Sequence, residues 1–136
     1  MTNTFELKVL APNRTWPTVK ATSAILPGTL GYMTILPDHA AMIAELQAGE
    51  VVVDVQGAPA ERYFVTGGYV EVDRNKVSVL ADVIENAKDI SLPKAEQALA
   101  EAQAALSVLT PETDVEEANR RLRAAEARLQ VAKGSR

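Results

Sequence analysis

The feature that most constrains the fold of this chain is a change in the period of its apolar residues near residues 86–89. Before that point apolar side chains recur at every second residue, which is typical of strands buried on one face. After it they recur at alternating spacings of three and four, which is typical of paired helices. Six of the seven glycines lie before residue 70, whereas alanine concentrates after residue 86. The sequence therefore predicts two parts, residues 1–87 and residues 88–136.

The first part has the pattern of many short strands. Phe5, Leu7 and Val9 alternate with mostly polar neighbours, and so do Val51 and Val53. Three further strand patterns follow at residues 63–65, 69–72 and 77–80, separated by Gly67-Gly68 and by residues 73–76, which predict tight turns. Short strands at this spacing indicate an antiparallel β-sandwich or barrel.

The second part predicts an antiparallel helical hairpin. Two apolar stripes of equal length run through it, Leu92, Ala95, Leu99, Ala102, Leu106 and Leu109 in the first helix and Val115, Ala118, Leu122, Ala125, Leu129 and Ala132 in the second. The segment from Thr110 to Thr113 contains Pro111 and breaks the helix. We expect Ser91 to cap the first helix, and Thr113 with Glu116 to form a capping box for the second. Five of the twelve stripe positions are alanine, which buries little area, so we expect the hairpin to be the less stable part and able to detach.

Composition excludes several classes of function. The chain has no cysteine and one histidine, so it lacks disulfides, thiolate nucleophiles and a multi-histidine metal cage. The net charge of −4 argues against a nucleic-acid partner. The longest uncharged run, residues 21–37, is interrupted by proline and glycine and does not predict a membrane span. The first residues resemble neither a signal nor a transit peptide, which favours a protein made in a reducing compartment, bacterial or plastid-encoded.

Candidate catalytic chemistry starts at His39, the natural base near neutral pH. Ser23, Thr34 and Ser78 are hydroxyls that a sandwich could bring near it, but Asp38 is adjacent in sequence and cannot readily orient its ring. A structural turn residue is the more economical interpretation of His39. The Gly28 to Gly31 segment lacks the Lys-Ser/Thr of a phosphate loop. Apolar residues near these glycines are either a contact patch or ordinary core: Tyr32, Met33, Ile35 and Met42.

Charge is unevenly distributed along the chain. Residues 1–113 carry 8 basic and 14 acidic residues, whereas residues 114–136 carry 6 basic and 4 acidic, so the sign reverses at the second helix. One interpretation is a solvated helix face with pairs such as Glu116–Arg120 and Glu117–Arg121. The other is an arginine surface that docks on an acidic partner. That surface comprises Arg120, Arg121, Arg123 and Arg128.

Two motifs resemble the epsilon subunit of F-type ATP synthases, the counterpart of the mitochondrial delta subunit. Residues 31–40 are similar to the family's glycine-containing turn and its Pro-Gly-His-Ala element. Residues 66–72, continuing into 76–82, are also similar to the family. The order of a sandwich followed by a hairpin is the family's order, and the likeness covers essentially the whole chain.

The resemblance implies a non-catalytic subunit of the rotor's central stalk in the proton-translocating enzyme. Its sandwich is expected to bind the gamma subunit and the membrane-embedded c-ring, and its hairpin to inhibit ATP hydrolysis at the beta and alpha subunits. The implied ring and gamma contacts are Gly28, Thr29, Leu30, Gly31, Tyr32, Met33 and His39. The four arginines of the second helix are the implied contacts with beta. The protein is expected to be peripheral to the membrane, on its cytoplasmic or stromal face.

Some bacterial members of the family bind ATP through an Ile/Leu-Asp-x-x-Arg-Ala motif at the start of the first helix. This chain has Ile90, Ser91, Lys94 and Ala95 at the four motif positions. Serine replaces the aspartate and lysine replaces the arginine, so the bidentate guanidinium grip is lost. We expect ATP binding to be weak or absent, and no other cofactor is implied.

Two other functions remain open from the sequence. A generic adaptor could use the arginine-rich helix to bind some other acidic protein, and it would not need the gamma subunit. A small hydrolase built on His39 is the third alternative.

Overall fold

The structure is a computed structural model that describes residues 3–134. Ten strands precede two helices, and a short 3-10 helix at Ala87–Asp89 joins the two parts. The strands are β1 Phe5–Ala11, β2 Arg14–Thr15, β3 Val19–Gly28, β4 Gly31–Ile35, β5 Met42–Leu46, β6 Gly49–Val55, β7 Glu61–Val65, β8 Gly68–Asp73, β9 Lys76–Ala81 and β10 Ile84–Asn86. The helices are α1 Leu92–Ser107 and α2 Val115–Lys133. The predicted outer limits at residues 1 and 136 lie outside the described residues.

The strands form one continuous sheet that folds over into a sandwich. Their order is β10-β7-β6-β3-β5-β8-β9-β1-β2, with β4 paired to β3. The sheet turns a corner where β3 and β5 pair only at Gly28 and Leu46. The predicted sandwich followed by a helical hairpin is therefore confirmed.

One pairing differs from the antiparallel sandwich expected from the sequence. Strand β1 runs parallel to β9, with Leu7 opposite Val77 and Val9 opposite Val79. On its other side β1 is antiparallel to β3. The period of two reveals which residues face inward but not which distant strand lies alongside, so the direction of this pairing was not available from local sequence.

The predicted alternation places the core as expected. Phe5, Leu7 and Val9 are buried from β1, and Val51 and Val53 from β6. The main core lies between the folded sheet's inner faces and takes all of its fully buried members from residues up to Ile84. The sandwich thus has a hydrophobic core independent of the hairpin.

Of the two tight turns predicted in the 63–82 region, the one at residues 73–76 is present, whereas Gly68 is the first residue of β8, which does not pair with β7. Arg74 and Asn75 have φ of 50° and 60°, the left-handed conformation of a type I′ hairpin, and they join β8 to β9. Gly68 follows β7 and has φ of 145°; a Cβ there would lie 1.9 Å from the Leu80 carbonyl oxygen. Only glycine allows the β8 backbone to approach β9 this closely.

The helix ends agree with the prediction in one case and differ in the other. Ser91 caps α1, accepting a hydrogen bond from the Lys94 amide at 3.4 Å. The predicted Thr113 capping box is wrong: Asp114 caps α2 through the Glu117 amide at 3.0 Å. The Thr113 hydroxyl instead accepts from the Thr110 amide and closes the interhelical turn. An aspartate also has its negative charge next to the helix N-terminus, which favours it over threonine at this position.

The hairpin packs against one outer face of the sandwich. Helix α2 contacts β6 and β7, and Phe64 from β7 joins Ile90, Leu129 and Val131 in a second, smaller apolar cluster. The seam between the helices buries Ala95, Ala102 and Ala125 as predicted. Its outer positions do not follow the prediction: Leu92 and Val115 are exposed, and Leu109 lies beyond the end of α1. Neither helix of the described chain is long and apolar enough to cross a membrane.

Candidate functional site

The turn between β3 and β4 presents a fully exposed leucine on a fixed support. Thr29 and Leu30 form the turn, because Gly28 pairs with Gly31. The Thr29 amide donates to the Glu45 carbonyl at 3.1 Å, and the Gln47 side chain donates to the Gly28 carbonyl at 3.0 Å. Leu30 has a relative exposure of 103%. An apolar side chain held in solvent by a hydrogen-bonded turn is suited to contact with another protein.

Among the apolar residues near this turn, the structure separates surface from core. Tyr32 is exposed at 56%, whereas Ile35 is buried at 1%. Met33 and Met42 are half-buried and pack against the main core. Of these four, only Tyr32 is chiefly a surface residue, so the ordinary-core alternative holds for Ile35 and largely for the methionines.

His39 lies at the opposite end of the sandwich from Leu30. It follows β4, whose five residues separate the two sites by roughly 15 Å at about 3.3 Å per residue. The preceding Asp38 has its amide bound by the Asn75 side chain at 2.8 Å, which ties this segment to the β8–β9 turn. The structure therefore does not bring His39 together with the Gly28 to Met33 turn.

The surroundings of His39 are those of a turn rather than a catalytic centre. Its Nδ1 lies 2.8 Å from the Ala40 carbonyl oxygen, and its amide donates to the Leu36 carbonyl. The Ser23 hydroxyl, one of the suggested nucleophiles, donates to the Asp54 carboxylate at 2.7 Å. Within residues 3–134 no group of three potential metal-ligating side chains is present.

An exposed apolar face on β5, β8 and β9 was missed by the sequence reasoning. Ile43, Tyr69 and Leu80 are exposed by 71%, 54% and 43%. Tyr69 and Leu80 are directly paired across the strands, and Ile43 lies diagonally from Tyr69 on β5. Tyr69 and Leu80 border a groove of about 530 Å³ that Leu10 and Pro12 also line. The strand alternation did contain the signal, because these apolar residues occupy outward positions of their strands.

The four predicted arginines of α2 have different surroundings. Arg128 forms a bidentate pair with Glu85 of β10, at 2.7 and 3.1 Å. Arg120 pairs with Glu117, three residues away, and Arg121 lies 3.8 Å from Glu101 of α1. The expected Glu116–Arg120 and Glu117–Arg121 pairs are therefore not the ones that form.

Three of these arginines face a common open cleft. Arg120, Arg121 and Arg123 line it with Thr29 and Gln47 from the sandwich. The hydrogen bond and the negative charge of Glu117 raise the pKa of Arg120, so its positive charge is secure. The N-terminal half of α2 thus offers guanidinium groups to an acidic surface, whereas Arg128 is paired with Glu85 of the sandwich.

A second set of charges holds the end of α2 on the sandwich. Arg62 of β7 donates to the Val131 carbonyl at 3.1 Å. Arg62 also forms an ion pair with Glu50, which is only 4% exposed. A cation at a helix C-terminus is favoured by the helix dipole. Sequence reasoning missed Glu50, Arg62 and Glu85, because their partners are 12 to 69 residues distant.

Most residues at the start of α1 either pack in the apolar cluster or cap the helix. Ile90 and Ala95 belong to the apolar cluster between the hairpin and the sandwich. Ser91 caps the helix, and Lys94 is exposed. Of the four residues at the nucleotide-motif positions, only Lys94 extends a charge into solvent.

Comparison with known proteins agrees with this architecture. Residues 4–87 match the family model described as ATP synthase, Delta/Epsilon chain, beta-sandwich domain. Residues 88–133 match the model described as ATP synthase, Delta/Epsilon chain, long alpha-helix domain. A relative named ATP synthase epsilon chain, from Moorella thermoacetica, is 38% identical over 126 residues, covering 93% of this chain and 94% of the relative.

Solved structures show the same fold at low sequence identity. One is a chain of the Euglena gracilis mitochondrial ATP synthase OSCP/F1/c-ring structure, with a TM-score of 0.74 and 17% identity over 98% of this chain and 79% of that one. Another is from the Tetrahymena thermophila mitochondrial ATP synthase central stalk and c-ring, with a TM-score of 0.69 and 12% identity over 93% and 95% of the two chains. By sequence and by fold, the chain belongs to the delta/epsilon chain family of the F-type ATP synthase and is a non-catalytic accessory subunit of that complex.

Proposed function

We propose that this subunit couples rotation of the c-ring to the catalytic head through its sandwich and restrains ATP hydrolysis through its hairpin. Leu30 carries the coupling proposal, because it is fully exposed on a turn that two hydrogen bonds hold in place. A rigid apolar contact transmits force without absorbing it in a flexible loop. In the assembly the protein lies at the membrane surface, on the cytoplasmic or stromal face, without being inserted.

The gamma subunit is the proposed partner of the exposed sheet face. Ile43, Tyr69 and Leu80 offer a large aromatic and two aliphatic side chains on regular strands. Such a patch is typical of the centre of a protein interface. The amide of Asp38, the residue before His39, donates to Asn75 in the turn between β8 and β9. The c-ring then contacts the Leu30 end, so the two partners occupy different surfaces.

The coupling proposal is tested with Leu30→Asp in the assembled enzyme. A carboxylate at the turn should weaken the ring contact, lowering ATP-driven proton pumping more than ATP hydrolysis. Leu109→Asp is the matched control, because Leu109 is also exposed, at 52%, but lies in the hairpin loop. Equal pumping by the two variants would argue against the turn as the ring contact.

Gamma docking is tested with Tyr69→Asp in a pull-down with the gamma subunit. We expect at least about a tenfold loss of affinity, since a central aromatic contact contributes strongly to an interface. Val108→Asp, exposed by 71% at the hairpin end, is the control. A chain that does not bind gamma at all would instead favour the adaptor alternative.

The inhibitory proposal concerns the arginine surface of α2. When the hairpin leaves the sandwich, Arg128 is released from Glu85 and joins Arg120, Arg121 and Arg123 as a contact for the acidic surface of the beta and alpha subunits. Bidentate guanidinium contacts with carboxylates supply the affinity. ATP is not required for this cycle, because the nucleotide-motif positions are taken by packing and capping residues.

This inhibition is measured as ATPase activity of the catalytic head. Deleting residues 88–136 should raise hydrolysis by about fivefold or more relative to the full chain. Arg120→Ala with Arg123→Ala should reproduce part of that rise. Lys88→Ala with Lys94→Ala removes the same charge outside α2 and should leave inhibition intact. Unchanged hydrolysis after the deletion would contradict an inhibitory hairpin.

A further inference from the structure

A chain of contacts connects the exposed turn of the sandwich to the docked end of α2. Tyr32 of β4 is half-exposed, yet its hydroxyl accepts a hydrogen bond from the Glu50 amide at 3.3 Å. The Glu50 carboxylate pairs with Arg62. The Arg62 guanidinium in turn donates to the Val131 carbonyl of α2.

The backbone explains why a tyrosine occupies this place. Strand β6 pairs with β3 at Val52 and Val53, but that ladder stops before Glu50, where β3 reaches Pro27. The Glu50 amide is therefore left to a side-chain acceptor, and the Tyr32 hydroxyl supplies it. Gly49 makes the approach possible, because a Cβ there would lie 3.0 Å from the Tyr32 hydroxyl and 2.7 Å from the Pro27 Cβ.

The same residues line an open pocket between the sandwich and α2. Tyr32, Gly49 and Glu50 line it from the sandwich, and Ala127, Gln130 and Val131 line it from α2, with a volume of about 360 Å³. The Tyr32 ring thus forms one wall of the space on which the end of α2 rests. Moving that ring outward would remove the acceptor for the Glu50 amide and widen this pocket.

The Glu50–Arg62 ion pair favours release of the hairpin once the contact between α2 and the sandwich is weakened. Glu50 is buried because the hairpin covers the outer face of β6 and β7. Burying an ion pair costs desolvation free energy, which is recovered when the hairpin leaves and water reaches both charges. A small movement of the Tyr32 ring therefore acts on the contact between the sandwich and α2. The Glu50 and Arg62 charges of that contact regain water when it opens.

We propose that Tyr32 couples occupancy of the β3–β4 turn to the docking of α2, through Glu50, Arg62 and the Val131 carbonyl. A partner that binds the turn and draws the Tyr32 ring outward releases the hairpin. This rests on the proposed contact of that turn with the c-ring. Tyr32 is a positioning residue in this mechanism, since it acts on α2 through Glu50 and Arg62.

The absence of cysteine from the chain provides a direct assay. Val131→Cys places the single thiol at a site that is 3% exposed under the docked hairpin, so its labelling rate reports release of α2. Ala24→Cys places it in the sandwich core, at 0% exposure, where labelling reports global unfolding. Adding Tyr32→Phe should raise labelling at position 131 by about threefold to tenfold, the effect of one hydrogen bond. Labelling at position 24 should stay constant.

Tyr69→Phe is the matched control, because it removes a hydroxyl from a tyrosine of similar exposure on another face. Unchanged labelling at position 131 in the Tyr32→Phe chain would overturn the proposal, and so would an equal rise at positions 131 and 24. Isolated c-ring should accelerate labelling at position 131 in the parent and much less in Tyr32→Phe. If Leu30→Asp shows that the turn does not bind the ring, the proposed function fails, while the Tyr32→Phe result on the isolated chain still decides whether the link exists.

Discussion

At the scale of single residues, the clearest energetic consequence concerns Tyr63 in the sandwich core. It is 3% exposed, stacks edge-on with Trp16 at 5.9 Å, and donates its hydroxyl proton to Glu61 at 2.7 Å. Burial raises the pKa of Tyr63 well above its ordinary value of 10.0, and the hydrogen bond and charge of Glu61 add to the shift. The folded chain therefore keeps this proton at a pH where the unfolded chain has lost it.

The resulting prediction is a loss of stability at alkaline pH. Since the folded-state pKa is raised, the contribution of Tyr63 is complete below pH 10.0 and decreases above it, by up to about 1.4 kcal/mol per pH unit. The urea midpoint should fall between about pH 10 and 12, and it should fall less steeply in Tyr63→Phe. Tyr69→Phe, which changes an exposed tyrosine, should retain the parent slope. Parallel slopes for parent and Tyr63→Phe would contradict this origin.

At the scale of elements, the contact between α2 and β10 depends on one ion pair beside a small apolar cluster. Arg128 and Glu85 are both half-buried, with side-chain exposures of 24% and 28%, and their pairing is bidentate. The alanine-rich seam adds little apolar area, so this pair matters more for docking than a surface pair would.

Arg128→Gln should selectively weaken the docked hairpin. It leaves the Glu85 carboxylate half-buried without its guanidinium partner, at a cost of about 1–2 kcal/mol. Amide hydrogen exchange in α2 should then accelerate by about tenfold, with exchange in β6 and β7 little changed. Arg123→Gln changes an exposed arginine of the same helix and should leave exchange near that of the parent. Equal protection of α2 in both variants would show that the Arg128–Glu85 pair is not needed to hold the hairpin.

At the scale of the whole molecule, the two parts depend on each other unequally. The main core is built from residues up to Ile84, whereas the cluster beneath the hairpin needs Phe64 from the sandwich. The helices span 16 and 19 residues, only a little above the roughly 12–15 residues below which isolated helices are marginal in water, and most helical stability in proteins comes from tertiary packing. The sandwich should therefore fold without the hairpin, but the hairpin should not fold without the sandwich.

Separating the parts tests this asymmetry. A chain ending at residue 87 should unfold cooperatively and lose only about 2 kcal/mol, roughly the effect of exposing Phe64. A peptide of residues 88–136 should show weak helicity by circular dichroism at the same temperature. A strongly helical peptide, or an unfolded sandwich, would contradict the unequal dependence.

The local patterns predicted much of this fold because they depend on near neighbours. The period of two placed Val51 and Val53 inside, Pro111 ended the first helix region, and Ser91 capped α1. The choice between two adjacent capping residues was harder to predict. Thr113 and Asp114 both suit a helix N-terminus, and the ionised Asp114 side chain is the one that caps α2. For the candidate site, the sequence pointed to Leu30 and Arg128 but could not say that one is free and the other engaged.

The sequence by itself determined the class of fold, both helices and five of the ten strands in the described chain, β1, β6, β7, β8 and β9. These follow from periodicity, turn chemistry and composition, which act over a few residues. Only the tertiary structure decided that β1 lies parallel to β9, that Glu85 holds Arg128, and that Tyr32 reaches α2 through Glu50 and Arg62. Those contacts join residues far apart in the chain, and their partners are selected by how the folded sheet and the hairpin meet in space.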